Sequence, residues 1–232
     1  MQSRWNAQFT LLATLCAWLC VGCQKSGDNA QPTAAMNAST PASGTAARAD
    51  VSAGPKSDQD PKHPVFRIET SKGAFDVRLD EDKAPITVDN FRNYVERGFY
   101  SGTIFHQIIK SPLQLVVAGG FTPDLAEKKG LVPIRSEAYN GLKNRRGTIA
   151  MARGDNENSA TSQYFINLAD NTALDFKART PQGYGYCVFG EVVSGLDVVD
   201  SIAQSSVHDV SASKLTGVPN EAVVIRTVKQ IK

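Results

Sequence analysis

Eight short runs of strand character, strung between glycine- and asparagine-bearing loops, set the fold of this 232-residue chain. They are Val65 to Thr70, Ala74 to Leu79, Thr103 to Ile109, Leu113 to Ala118, Thr148 to Ala152, Tyr164 to Leu168, Tyr186 to Val192 and Ala222 to Ile231. The first two alternate around a Ser71-Lys72-Gly73 turn, the mark of a hairpin. Two helical stripes interrupt the series. In the first, Thr87 is suited to cap the helix, with Ile86 and Phe91 as a hydrophobic staple. Val88, Phe91 and Val95 line its apolar face, and Gly98 suits its C-terminal stop. The second runs from Gly195 to about Ala203, capped by Ser194, with Leu196, Val199, Ile202 and Ala203 inward. Many short strands, two helices and long loops predict a closed antiparallel barrel with helices over its ends.

This pattern starts only at about residue 63. Residues 1–23 read as a secretion signal: Arg4 supplies a positive start, and an apolar stretch runs from Phe9 to Val21. That stretch is too short for a mature membrane span, which needs about 20 apolar residues. It ends at Cys20-Val21-Gly22-Cys23, which resembles a bacterial lipobox with Cys23 as the lipidated residue. The expected location is the periplasmic side of the cell envelope, anchored by lipid. Gln24 after the acceptor directs the anchor to the outer membrane. A plain cleaved signal and a soluble periplasmic protein is the other reading.

Residues 24–62 are rich in Ala, Ser, Thr and Pro and contain no aromatic residue. Such a segment cannot bury enough apolar surface to offset the entropy of ordering it, so it reads as a disordered linker. At about 40 residues it spans roughly 35 Å root-mean-square, the reach of a tether. The remaining stretch, 63–232, fits one domain that buries around 70% of its unfolded surface. Cys187 alone lies in that domain, which excludes an internal disulfide or a cysteine metal cluster. A formal net charge of +2 without a Lys/Arg block gives no case for nucleic acid.

Two strings carry more specific information. One is Gly102-Thr103-Ile104-Phe105-His106-Gln107-Ile108-Ile109; the other runs from Gly147-Thr148-Ile149-Ala150-Met151-Ala152-Arg153 through Ser162-Gln163-Tyr164-Phe165-Ile166-Asn167. With Ala84-Pro85-Ile86-Thr87-Val88, Gly119-Gly120-Phe121, Asn140-Gly141-Leu142 and Tyr184-Gly185-Tyr186-Cys187-Val188-Phe189-Gly190, they resemble the cyclophilin family, most of all its periplasmic members in Gram-negative bacteria. The resemblance implies a mainly β fold, an eight-stranded antiparallel barrel with two capping α-helices. It also implies peptidyl-prolyl cis-trans isomerisation of unfolded or exported polypeptides that contain proline, by a monomer.

Rotation about an X-Pro bond breaks amide resonance, a barrier of about 18–20 kcal/mol. No nucleophile, metal or cofactor is required, because a catalyst need only bind the twisted amide better than either planar form. An apolar pocket for the ring and a hydrogen-bond donor for the prolyl nitrogen suffice. The resemblance puts that donor at Gln107, where the family has arginine. Glutamine donates but is shorter and neutral, and charge-assisted bonds are roughly twice as strong. Loss of one oriented donor typically costs a factor of about 10² to 10³, so reduced activity is expected. Lys110 or Arg153 could restore part of the positive field.

The family's Phe-Met-Ile-Gln-Gly-Gly string corresponds to Leu115-Val116-Val117-Ala118-Gly119-Gly120, reached with about three extra residues around Ser111 to Gln114. By the same resemblance, Phe105, Leu115, Val116 and Ala118 contact substrate on one side. Ala152, Arg153, Gln163, Phe165, Leu174 and Tyr186 do so on the other. Ala173 stands where an aromatic residue is usual. His106 reads as structural, since no proton moves in the reaction, and Cys187 as a small buried hydrophobe. Two other functions stay open: a non-catalytic module or chaperone that holds proline-containing segments, and a barrel used only as a scaffold.

Overall fold

A computed structural model describes Asp60 and residues 62–232. The expected signal segment, the acceptor Cys23 and nearly all of the 24–62 linker lie outside the described residues. The elements in order are β1 (Val65–Thr70), β2 (Gly73–Leu79), α1 (Pro85–Glu96), β3 (Ile104–Ile109), β4 (Leu115–Ala118), β5 (Thr148–Met151), β6 (Tyr164–Asn167), β7 (Val188–Ser194), α2 (Leu196–Ala203), β8 (Val207–Val210), β9 (Leu215–Pro219) and β10 (Val223–Gln230).

Eight of the strands close into an antiparallel barrel in the order β1-β10-β3-β4-β6-β5-β7-β2. Alternation along each strand sends one set of side chains inward. Phe66, Ile68, Phe75, Val77, Leu79, Ile149, Met151, Phe189 and Ile225 meet there and are almost fully buried. Both helices add to the same interior cluster, α1 through Val88 and Phe91, α2 through Val199 and Ile202. A helix reaches a barrel interior only through its openings, so the two helices act as lids. Phe91 is the hub: its ring lies 5.2 to 5.8 Å from those of Phe66, Tyr100, Tyr164 and Phe189. Rings at such spacings gain about 0.5–1.5 kcal/mol per pair beyond their burial.

Both expected helix caps are corrected. Helix α1 starts two residues before Thr87, with Pro85 in its first turn and Ala84 as the flanking residue, whose side chain caps nothing. The exposed amides are satisfied from a distance by Glu137. Its carboxylate accepts from the backbone N–H of Ile86 (3.1 Å) and Thr87 (2.9 Å) and from Thr87 Oγ1 (2.8 Å). Helix α2 is preceded by Gly195 at φ 75°, while Ser194 is the last residue of β7. The hairpin β8–β9, which the sequence pattern did not predict, is a separate two-stranded sheet. Its apolar residues Val207, Val210 and Leu215 are only partly buried and Val218 and Pro219 are buried side by side, so no clear apolar alternation marks it.

Candidate active site

The site is built on a break in register between β3 and β4. Phe105 pairs with Ala118, but the next pair is Gln107 with Val117, leaving His106 as the extra residue of a bulge. Directly paired residues share a face. Phe105, Ile108, Val116 and Ala118 therefore face the barrel interior, where all four join the main core. Gln107, Ile109, Leu115 and Val117 take the outer face.

This corrects the expected groove. Phe105, Val116 and Ala118 do not line it; Phe105 is fully buried with its ring 6.4 Å from Phe75. Val117 replaces them: it pairs with Phe165 across β4 and β6, a relationship that only the strand register reveals.

The outer face carries a second apolar cluster: Leu115, Val117, Ala150, Ala152, Phe165, Leu174 and Val188. Leu113, Ile109 and Tyr186 pack against it. The structure thus brings Leu115, Ala152, Phe165, Leu174 and Tyr186 together, and adds Val117 and Leu113. The edge of Phe165 meets Tyr186 at 5.6 Å and 78°. Leu174 sits on the one-turn helix Thr172–Leu174, held by a buried amide network. Asn171 Nδ2 donates to Asn167 Oδ1 (2.7 Å) and to the Gln114 carbonyl (2.9 Å), and Asn171 Oδ1 accepts from the Gln114 N–H (3.2 Å). The extra residues before β4 are therefore pinned beside Leu174, and they contribute Leu113 to the apolar floor. Ala173 is exposed.

Polar groups frame this floor. Gln163, half-buried, crosses Gly120 so closely that a Cβ there would come within 2.5 Å of its Cγ. Arg153 donates through Nε to the Gly185 carbonyl (2.8 Å) and through Nη1 to the Gly154 carbonyl (2.9 Å). Its guanidinium lies 4.9 Å from the Tyr186 ring centre, a cation–π contact. Lys110 reaches the Ser205 carbonyl at 3.3 Å.

Gln107 itself is only 6% exposed. Its Nε2 donates to Thr216 Oγ1 at 3.0 Å, so the hairpin β8–β9 packs beside the donor position. His106 is buried, its Nδ1 makes no hydrogen bond, and its ring lies 4.6 Å from Phe121. Burial drives its pKa down to about 4, so the ring is neutral at pH 7. Burial likewise pushes the Cys187 thiol up to about 12, a proton-bearing and unreactive state.

Taken together, an apolar floor is flanked by the neutral donors Gln107 and Gln163. Among the described residues no group of His, Cys, Asp and Glu could hold a metal ion. A cavity of about 940 Å³ opens elsewhere, along β2, β7 and the 141–145 loop. Asp76, Arg78, Lys143, Arg145 and Glu191 line it. Such charged walls suit water better than a pyrrolidine ring, which favours the Gln107–Phe165 face as the site.

A family model described as cyclophilin type peptidyl-prolyl cis-trans isomerase/CLD matches residues 65–230. Peptidyl-prolyl cis-trans isomerase A of Dickeya dadantii is 47% identical over 165 residues, covering 71% of this chain and 83% of its own. Peptidyl-prolyl cis-trans isomerase B of Escherichia coli is 46% identical over 169 residues, covering 71% of this chain and 98% of its own. Among solved structures, a cyclophilin type peptidyl-prolyl cis-trans isomerase of Cryptosporidium parvum superposes with a TM-score of 0.60 at 23% identity, over 73% of this chain and 98% of that one. That likeness speaks for the barrel.

Proposed function

The chain belongs to the cyclophilin type of peptidyl-prolyl cis-trans isomerases, and from that premise we propose that it isomerises X-Pro bonds in exported polypeptides, at a reduced rate. The observation that carries this reading is the outer cluster around Val117, Phe165 and Leu174, with Gln107 paired to Val117 at its edge. A proline ring seated on that floor lies beside an amide donor at the arginine position of the family. The donor engages the prolyl nitrogen as the bond twists and the nitrogen becomes a better acceptor. Being neutral, it stabilises that state less than a guanidinium, by a factor of about 10² to 10³.

Placement in the cell envelope rests on the N-terminal sequence: the signal, the lipobox-like Cys20-Val21-Gly22-Cys23 and the linker. We propose lipidation of Cys23 and a tethered monomer acting on proline-containing chains as they emerge. Cys23→Ser should move the protein from the membrane to the soluble fraction; an unchanged distribution refutes the anchor.

One observation favours a second reading, a holder of proline-containing segments that does not turn them over: the Gln107 amide is buried and already bonded to Thr216. Isomerisation of an Ala-Pro peptide, measured beside binding of the same peptide, separates the two. A rate above the uncatalysed one supports the enzyme. Binding with a background rate supports the holder, and neither leaves only a scaffold.

A further inference from the structure

We propose that Thr216 is a positioning residue for Gln107, so that the hairpin β8–β9 belongs to the catalytic apparatus. The proposal rests on the reading of Gln107 as the donor to the prolyl nitrogen. A glutamine side chain loses up to about 2 kcal/mol of rotamer freedom when fixed, and its amide can present either oxygen or nitrogen. A neutral donor is useful only if something else fixes it. On the β4 side the residue opposite is Val117, whose side chain offers no polar atom. The partner comes instead from β9, 109 residues along the chain: Thr216 Oγ1 accepts from Gln107 Nε2 at 3.0 Å. One amide N–H is thereby spent on orientation, and the second, on the same nitrogen, is left for substrate. Burial of Gln107 limits water's access to the amide side of that bond.

The hairpin is in turn fixed against β3. Gly217 follows Thr216 with φ +65°, and a Cβ there would come within 2.4 Å of the Ile108 carbonyl oxygen. The backbone of β9 thus rests directly on the residue next to Gln107. The Gly217 N–H donates to Asp209 Oδ1 at 2.9 Å, and the adjacent Val218 is buried. The Asn220 N–H donates to the Ser206 carbonyl at 2.8 Å, closing the base of the hairpin. Thr216 is exposed, so replacing it removes the hydroxyl without opening the core.

The test is a double-mutant cycle in the full chain, with kcat and KM for an Ala-Pro peptide measured separately. Thr216→Val is expected to lower kcat roughly fivefold to tenfold, the worth of one neutral hydrogen bond, with KM nearly unchanged. Thr216→Ser should restore kcat, and Thr216→Val should add no loss in a Gln107→Ala background. An unchanged kcat in Thr216→Val, or an undiminished loss in the Gln107→Ala background, overturns the positioning role while leaving the donor in place. A wild-type rate in Gln107→Ala refutes the donor, and the positioning role falls with it. The side-chain amide resonances of Gln107 give a readout besides rate: they should shift in Thr216→Val and return in Thr216→Ser, and identical spectra in all three proteins refute the bond.

Discussion

Val117 and Phe165 lie directly opposite each other on β4 and β6, on the outer face of the barrel, whereas Val116 and Ile166 pair on the inner face. The two neighbouring valines therefore have different tasks. Val→Thr keeps the shape and adds a hydroxyl, which costs about 1–3 kcal/mol where it is buried without a partner. Both Val116→Thr and Val117→Thr should lower the unfolding free energy by that order. Only Val117→Thr should raise KM for an Ala-Pro peptide, by several-fold. A KM change in Val116→Thr alone would reverse the assignment of faces.

Glu137 is expected to hold α1 in place. Glu137→Ala strips the Ile86 and Thr87 amides and the Thr87 hydroxyl of their acceptor at a buried helix N-terminus. Loss of a cap costs about 0.5–2 kcal/mol, and buried unsatisfied donors cost about 1–3 kcal/mol each in the worst case. Urea unfolding should show a loss of about 2–4 kcal/mol, with Glu137→Gln retaining a good part of it. A loss below about 0.5 kcal/mol would show that water replaces the carboxylate.

His106 should give the protein an acid limb. Its folded-state pKa is lowered from 6.5 to about 4 by burial, with Nδ1 unbonded. Between those values the unfolded chain binds more protons, so stability rises with pH there. The full contribution is present above pH 6.5 and is lost as pH falls towards 4. A shift of that size corresponds to about 3 kcal/mol. In His106→Leu this part of the stability–pH curve should flatten while stability at pH 7 changes by less than about 1 kcal/mol. A curve unchanged by the substitution would assign the acid limb to other groups.

The strands of the barrel were legible because β1 and β2 alternate and β3 to β6 are short apolar runs bounded by loops, and both helices were legible from their stripes. What sequence could not show was parity and distance. The bulge at His106 shifts the register by one residue, so Phe105 and Gln107 face opposite sides although they stand two apart. Thr87 looks like a cap because a threonine precedes an apolar stripe, yet the acceptor comes from Glu137, 50 residues away. The same holds for Thr216, whose role beside Gln107 exists only once β9 lies against β3. The hairpin that carries it has a single well-buried apolar pair, Val218 and Pro219, and so left no period in the sequence.

The proposed limit on rate, a neutral donor at position 107 beside an otherwise competent floor, can be tested directly. The most direct measurement compares kcat/KM of wild type and Gln107→Arg on an Ala-Pro peptide. A wild-type rate above background and a rise of about 10² to 10³ in Gln107→Arg are expected. An equal or lower kcat/KM in Gln107→Arg, with peptide affinity retained and the fold intact, would contradict it.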